Sequence, residues 1–114
     1  MHELSVTLSI LDIAEKEVMK AGAKKVSRIN LEIGGLAGIE PSALDFAWEQ
    51  AKINTVLATA ERIIENVPAE ALCLECKHSY FLNNRFDPCP SCGSYFKDII
   101  KGKELKIKSI SIEY

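Results

Sequence analysis

The sequence predicts an α+β fold: a two-layer α/β body in which a small sheet of about three strands packs with two helices, plus an inserted zinc-ribbon module. Three observations lead there. Apolar residues recur at helical spacing over residues 4–20 and again after Pro41. Apolar and polar residues alternate over 26–33 and 105–114, the period of half-buried strands. Between these, residues 71–100 lose the apolar rhythm and hold all four cysteines. At 114 residues the chain suits one compact domain carrying a smaller module.

In the first helix Leu4, Leu8 and Leu11 share a face that Ala14 and Val18 continue. Gly22 is its stop, and Lys16 and Lys20 sit near the negative end of the helix dipole. Ile29, Leu31 and Ile33 then alternate with Arg28, Asn30 and Glu32, before Gly34, Gly35 and Gly38 break the strand into a loop. Pro41-Ser42 opens the second helix, with Ser42 and Asp45 spaced like a capping box. Its expected buried stripe is Leu44, Ala47, Trp48 and Ala51, with Trp48 as core packing. Residues 60–67 read as a second strand with weaker alternation. In the last strand Leu105 and Ile107 keep one parity, and Ile110, Ile112 and Tyr114 the other. That phase slip near Ser109 predicts a bulge, or one strand serving two layers. It also makes strand exchange in a homodimer conceivable, although a monomer is the simpler expectation.

Pro88, Pro90 and Gly93 crowd the 71–100 stretch, which is too short to fold on its own hydrophobic burial. Cys73-Leu-Glu-Cys76 and Cys89-Pro-Ser-Cys92 are separated by twelve residues. Two such tight turns each offer two sulfurs to one tetrahedral Zn2+, so Cys73, Cys76, Cys89 and Cys92 are the expected zinc ligands. Four protein ligands close the coordination sphere, which makes the ion structural rather than catalytic. His78 reads as a surface residue or a donor to one of the sulfurs.

The formal charge of −2 leans against nucleic-acid binding, which normally needs a basic face. Four thiolates and one Zn2+ take it to about −4. Lys101, Lys103, Lys106 and Lys108 form one basic run, readable as a solvated strand face. No stretch approaches the roughly 20 apolar residues that span a bilayer, so no membrane partner is expected. The amino terminus lacks a basic leader, and Asp12 and Glu15 interrupt its apolar residues. The expected compartment is therefore the cytoplasm, where disulfides are disfavoured.

The chain opens Met1-His2-Glu3. A bulky second residue generally spares Met1, leaving its amine within a few atoms of the His2 imidazole and deprotonatable backbone amides. Nitrogen donors in a plane are what Ni2+ or Cu2+ take in square-planar form. Glu3 reads as a residue that orients the imidazole or accepts a hydrogen bond beside the site.

The Met1-His2-Glu3 start, the helix–strand–helix body with Ile33-Gly34, the Cys73/Cys76/Cys89/Cys92 module and the isoleucine-rich last strand together resemble the HypA/HybF family of nickel-insertion accessory proteins. The resemblance covers the whole chain. It implies a nickel metallochaperone that holds Ni2+ through Met1 and His2, with Glu3 in support, and a structural zinc on the four cysteines. Residues 1–70 and 101–114 would then be the nickel-binding α/β domain, and 71–100 the zinc ribbon. The implied partners are a HypB-type GTPase and the precursor of the nickel–iron hydrogenase large subunit, with urease maturation proteins in some bacteria. An acidic residue is also implied in the loop at Glu40.

The competing expectation is a zinc-ribbon adaptor that binds nucleic acid or a transcription complex. Tyr80, Phe81, Phe86, Tyr95 and Phe96 would stack bases in that reading. Packing around the zinc knuckles is the simpler role for those rings. An enzyme has no support, because no nucleophile–base pair, phosphate-cradling loop or open metal site can be assembled from these residues.

Overall fold

A computed structural model describes residues 2–114, and of His2 only its backbone place in the first helix. The elements are α1 (His2–Ala21), β1 (Lys25–Gly34), α2 (Pro41–Ala51), β2 (Glu61–Val67), β3 (Glu70–Cys73), β4 (Ser79–Phe81), β5 (Lys97–Lys101) and β6 (Leu105–Glu113). Two three-stranded sheets result, ordered β2-β1-β6 and β4-β3-β5. This is the expected mixed α+β fold with two helices. The three short strands β3, β4 and β5 were not predicted. The chain divides into two compact units. The first comprises Met1–Leu31, Ile39–Ile64 and Lys106–Tyr114; the second comprises Glu32–Gly38 and Glu65–Leu105.

In the first unit α1 is set differently from its apolar pattern. Its buried residues are Glu3, Thr7, Ile10, Ala14 and Val18, while Leu4 and Leu8 are 44% and 49% exposed. The buried face is thus rotated by roughly a quarter turn from the Leu4–Leu8–Leu11 stripe, at about 100° per residue. The polar bonds of the first turn explain it. The Thr7 hydroxyl donates to the Glu3 carbonyl at 2.7 Å, and the Glu3 carboxylate accepts the Glu40 backbone N–H at 3.0 Å. Satisfied in this way, both residues are buried without an unpaired dipole. The helix ends as expected at Gly22. The Gly22 N–H donates to the Met19 carbonyl and the Ala23 N–H to that of Val18, which is the Schellman pattern.

The start of α2 corrects the capping-box expectation. Glu40 is the N-cap, and its carboxylate accepts from the backbone N–H groups of Ser42 and Ala43 and from the Ser42 hydroxyl. Pro41 fits the first helical position, where its missing N–H costs nothing, and that makes the preceding residue the cap. Those bonds, that of the Ser42 hydroxyl first, hold the Glu40 carboxyl below its ordinary range. Asp45 instead pairs with Arg62, whose guanidinium lies 5.2 Å from the Trp48 ring centre. Leu44, Ala47 and Trp48 are buried as predicted. Along β6 the half-buried residues are Leu105, Ile107, Ile110 and Ile112, with Lys108 and Ser109 exposed in succession. The alternation therefore slips between Ile107 and Ile110, at the place the sequence predicts.

The second unit is built on β3. It pairs antiparallel with β4 (Ala71 opposite Tyr80) and with β5 (Ala71 opposite Ile99). Its core is Ala69, Ala71, Cys73, Tyr80, Leu82 and Cys89, with Leu36 packed against it. The segment after β1 is tied in by three backbone bonds. Gly34 donates to Glu104, Gly35 to Val67 and Leu36 to Gly102.

Candidate metal centre

Two turns of the second unit have the same construction. β3 delivers Cys73, whose N–H donates to the His78 carbonyl at 2.9 Å, while the Lys77 N–H donates to the Cys73 carbonyl at 3.0 Å. In the second turn the Cys89 N–H donates to the Ser94 carbonyl at 2.9 Å, and the Gly93 N–H to the Cys89 carbonyl at 2.8 Å. In both, the residue after the second cysteine is left-handed, with φ of 65° at Lys77 and 76° at Gly93. This twist points backbone N–H groups at sulfur, as with the Cys76 N–H 3.5 Å from the Cys73 sulfur.

A side chain at Gly93 would meet nothing within 4 Å, so its cost is conformational alone. Gly93→Ala is expected to lower stability by about 1 kcal/mol, and Lys77→Gly to raise it by a similar amount, because a left-handed L-residue costs roughly 1–2 kcal/mol. Guanidinium denaturation of the metal-loaded protein measures both. An unchanged Gly93→Ala midpoint would mean the left-handed turn is not needed.

The four sulfurs all lie within 4.8 Å of one another. Across the turns, Cys73 and Cys92 are 3.6 Å apart, as are Cys76 and Cys89. These spacings are far beyond a disulfide of about 2.05 Å. They fit a tetrahedral ion with bonds of about 2.3 Å, which sets sulfurs roughly 3.8 Å apart. Cys73 and Cys89 are buried, and Cys76 and Cys92 face outward.

Among themselves the sulfurs share charge unequally. The Cys76 N–H, ahead of other bonds, brings the Cys73 thiol down to about 6. The Ser94 N–H draws Cys92 down, but burial and the neighbouring sulfurs outweigh it and push the thiol up to about 12. Cys76 is likewise raised, since burial and the Cys89 sulfur overcome the His78 N–H. Burial, followed by the charges of Cys89 and Cys73, raises the Tyr80 phenol. Four thiols drawn this close together are positioned to hold a metal ion.

His78 is exposed and serves the site through its main chain; it is not in the sulfur group. Of the amino-terminal residues singled out from sequence, Met1 and the His2 side chain lie outside the described residues. Glu3 is 7% exposed, and its bond to the Glu40 amide joins the first turn of α1 to the cap of α2. Sequence reasoning missed this role of Glu40. The signal was Pro41, which as a first helical residue marks position 40 as the cap. No described helix is long and apolar enough to cross a membrane.

Over residues 1–112 the chain matches the family described as hydrogenase/urease nickel incorporation, metallochaperone, hypA. The hydrogenase maturation factor HypA of Geobacter metallireducens is 39% identical across 99% of this chain and all of its own length. That of Parabacteroides distasonis is 42% identical across 99% of this chain and 98% of its own. The solution structure of the Ni metallochaperone HypA from Helicobacter pylori superposes with a TM-score of 0.72 at 26% identity, covering 99% of this chain and 98% of that one.

Proposed function

The chain belongs to the HypA family of hydrogenase and urease nickel-incorporation metallochaperones, and from that membership we propose that it takes up Ni2+ at its amino terminus and delivers it during maturation of nickel–iron hydrogenase. The match over residues 1–112, which spans both Met1-His2-Glu3 and the four cysteines, carries the reading. The Met1 amine, the His2 imidazole and backbone nitrogen hold the ion. Glu3 supports them by fixing the first helical turn, one residue beyond His2. A chain-end site suits cargo, because it is reachable and rearranging a few terminal residues costs little. Nitrogen donors favour Cu2+ over Ni2+, so partner docking and metal supply do the sorting. The partners in this reading are a HypB-type GTPase and the hydrogenase large-subunit precursor in the cytoplasm, with urease maturation proteins as further recipients.

The second ion is Zn2+ on Cys73, Cys76, Cys89 and Cys92. The donor set supports this assignment, since four thiolates at tetrahedral spacing suit zinc and leave no position for a reactive water. Zinc stabilises the fold, and the chain's work is binding and transfer rather than catalysis.

His2→Ala tests the reading. Nickel affinity of untagged protein should fall by more than the 10–100-fold typical of losing an outer-shell partner. Zinc content should remain one per chain. Extending the chain ahead of Met1, which removes the free amine, should weaken nickel with His2 intact. Equal nickel uptake by wild type and His2→Ala in equilibrium dialysis would refute the amino-terminal site.

A further inference from the structure

The second unit carries an open cleft of about 480 Å³ lined by Arg85, Phe86, Tyr95, Lys97, Ile99 and Lys103, with no cysteine in its lining. Three of the six lining residues are cationic and none is acidic, although the whole chain carries −2. Its rings face water: Phe86 is 75% exposed and Tyr95 66%. We propose that this cleft docks an acidic segment of a partner protein, with carboxylates set against Arg85, Lys97 and Lys103 and an apolar side chain against Phe86 and Tyr95.

The cleft is held in shape before anything binds. The Lys97 ammonium donates to the Arg85 carbonyl at 2.9 Å and lies 5.9 Å from the Tyr95 ring centre. The loop presenting Arg85 and Phe86 is folded on its own side chains. The Asp87 carboxylate accepts the N–H groups of Asn83 and Asn84, and the Asn84 amide oxygen accepts that of Phe86. Rings and an arginine fixed in this way lose little conformational freedom on binding, the property that makes aromatic and Arg residues interface anchors. Arg85 adds a planar fork that takes a carboxylate in two parallel bonds.

Charge complementarity selects the occupant. A nucleic acid needs a track of cations along its phosphates and meets a net-negative protein here. A small-molecule pocket encloses most of its ligand, whereas these rings stand largely in solvent. A short acidic stretch of polypeptide, carrying two or three carboxylates and an apolar anchor, matches both the charge and the rings. The proposal stands on the cleft alone, whichever metal the amino terminus carries.

The test uses the zinc-loaded full chain and three probes: a peptide of Glu and Phe residues, its counterpart with Lys in place of Glu, and a thymidine oligonucleotide. Amide shifts mapped by NMR should move at Arg85, Phe86, Tyr95 and Lys97 with the acidic peptide and weaken with added salt. The double variant Arg85→Glu/Lys103→Glu should bind it at least tenfold more weakly. Lys20→Glu/Lys24→Glu, with the same change in net charge, should bind it as the wild type does. Phe86→Ser should weaken binding without altering its salt dependence. Zinc content shows that each variant is folded. Shifts scattered away from the cleft, equal binding of the Lys peptide, or preferential binding of the oligonucleotide would each overturn the proposal.

Discussion

Stripped of its metal by a strong chelator, or carrying Cys73→Ser, the protein is expected to lose the fold of the second unit while keeping its helical signal. The reason is how little else holds that unit. Its strands β3, β4 and β5 have four, three and five residues, and two of the six buried residues in its core cluster are Cys73 and Cys89, both among the proposed zinc ligands. Zinc bound by four thiolates contributes roughly 10–16 kcal/mol of apparent free energy in small zinc modules. That rivals the about 5–15 kcal/mol of a whole domain. Both helices lie in the other unit, which has its own buried residues, among them Ile10, Val18, Ile29, Leu44 and Trp48. Amide dispersion should therefore collapse for residues 65–105, and proteolysis should speed up there. Far-UV helicity should change little. A dispersed spectrum for chelated protein over 65–105 would show that hydrophobic burial suffices and that zinc is not the clamp.

The pH dependence follows from the same sulfurs. Where the turns stay folded without metal, Cys73 lies below its ordinary 9.0, at about 6, so its thiolate adds stability that is complete above 9 and lost as pH falls through 6. Where they unfold, all four thiols start protonated near neutrality and still more protons must leave. Cys92 has the opposite sign: its thiol adds stability that is complete below 9 and lost as pH rises towards 12. Near neutrality Cys76 and Cys92 therefore still hold protons that an incoming metal must displace. Loading zinc at pH 7 should release at least two protons per ion, and apparent affinity should rise with pH. Titration in weak buffer with a pH indicator counts them; fewer than two would contradict the charge distribution described above.

The sequence disclosed the elements better than it disclosed their faces. Period alone placed α1, β1, α2, β2 and β6, and spacing alone grouped the cysteines, because both are local properties. It failed where a tertiary bond outweighed local hydrophobicity. The Leu4–Leu8–Leu11 stripe reads as the buried face, yet Glu3 and Thr7 are buried in its stead because the Glu3 carboxylate meets the Glu40 amide 37 residues away. No pattern within one helix contains that partner. The strands β3, β4 and β5 were illegible for a related reason. Strands of three to five residues are too short to show alternation, and their register rests on two cysteine turns. Tyr80 went into the core as a packing ring, whereas Phe81, Phe86, Tyr95 and Phe96 stayed outside. Composition cannot sort five rings that differ only in which side of a short strand or loop they leave.

Gly34→Ala is expected to be among the most damaging single-methyl changes available to this chain. A Cβ there would lie 2.2 Å from both the carbonyl carbon and oxygen of Gly102 and 2.6 Å from its Cα. These are backbone atoms, so no rotamer change relieves the clash. The facing residue cannot retreat either. Gly102 has φ of +77°, and a Cβ on it would come within 2.6 Å of the Ala69 Cα. Three strands of chain thus pass each other with no room for a side chain, fastened by the Gly34–Glu104 and Leu36–Gly102 backbone bonds. Moving them apart breaks those bonds and opens the core at Ala69. The cost should reach about 3 kcal/mol or more, the upper range for overpacking. It would appear as a fall in Tm of roughly 10 °C or more in zinc-loaded protein. The neighbour supplies the control. At Gly35 the nearest atom to an added Cβ is 3.5 Å away, an ordinary contact, so Gly35→Ala should be neutral or slightly stabilising. If the two substitutions proved equally harmful, glycine would be needed there for chain flexibility. A large gap between adjacent glycines leaves the Gly34–Gly102 crossing as the cause.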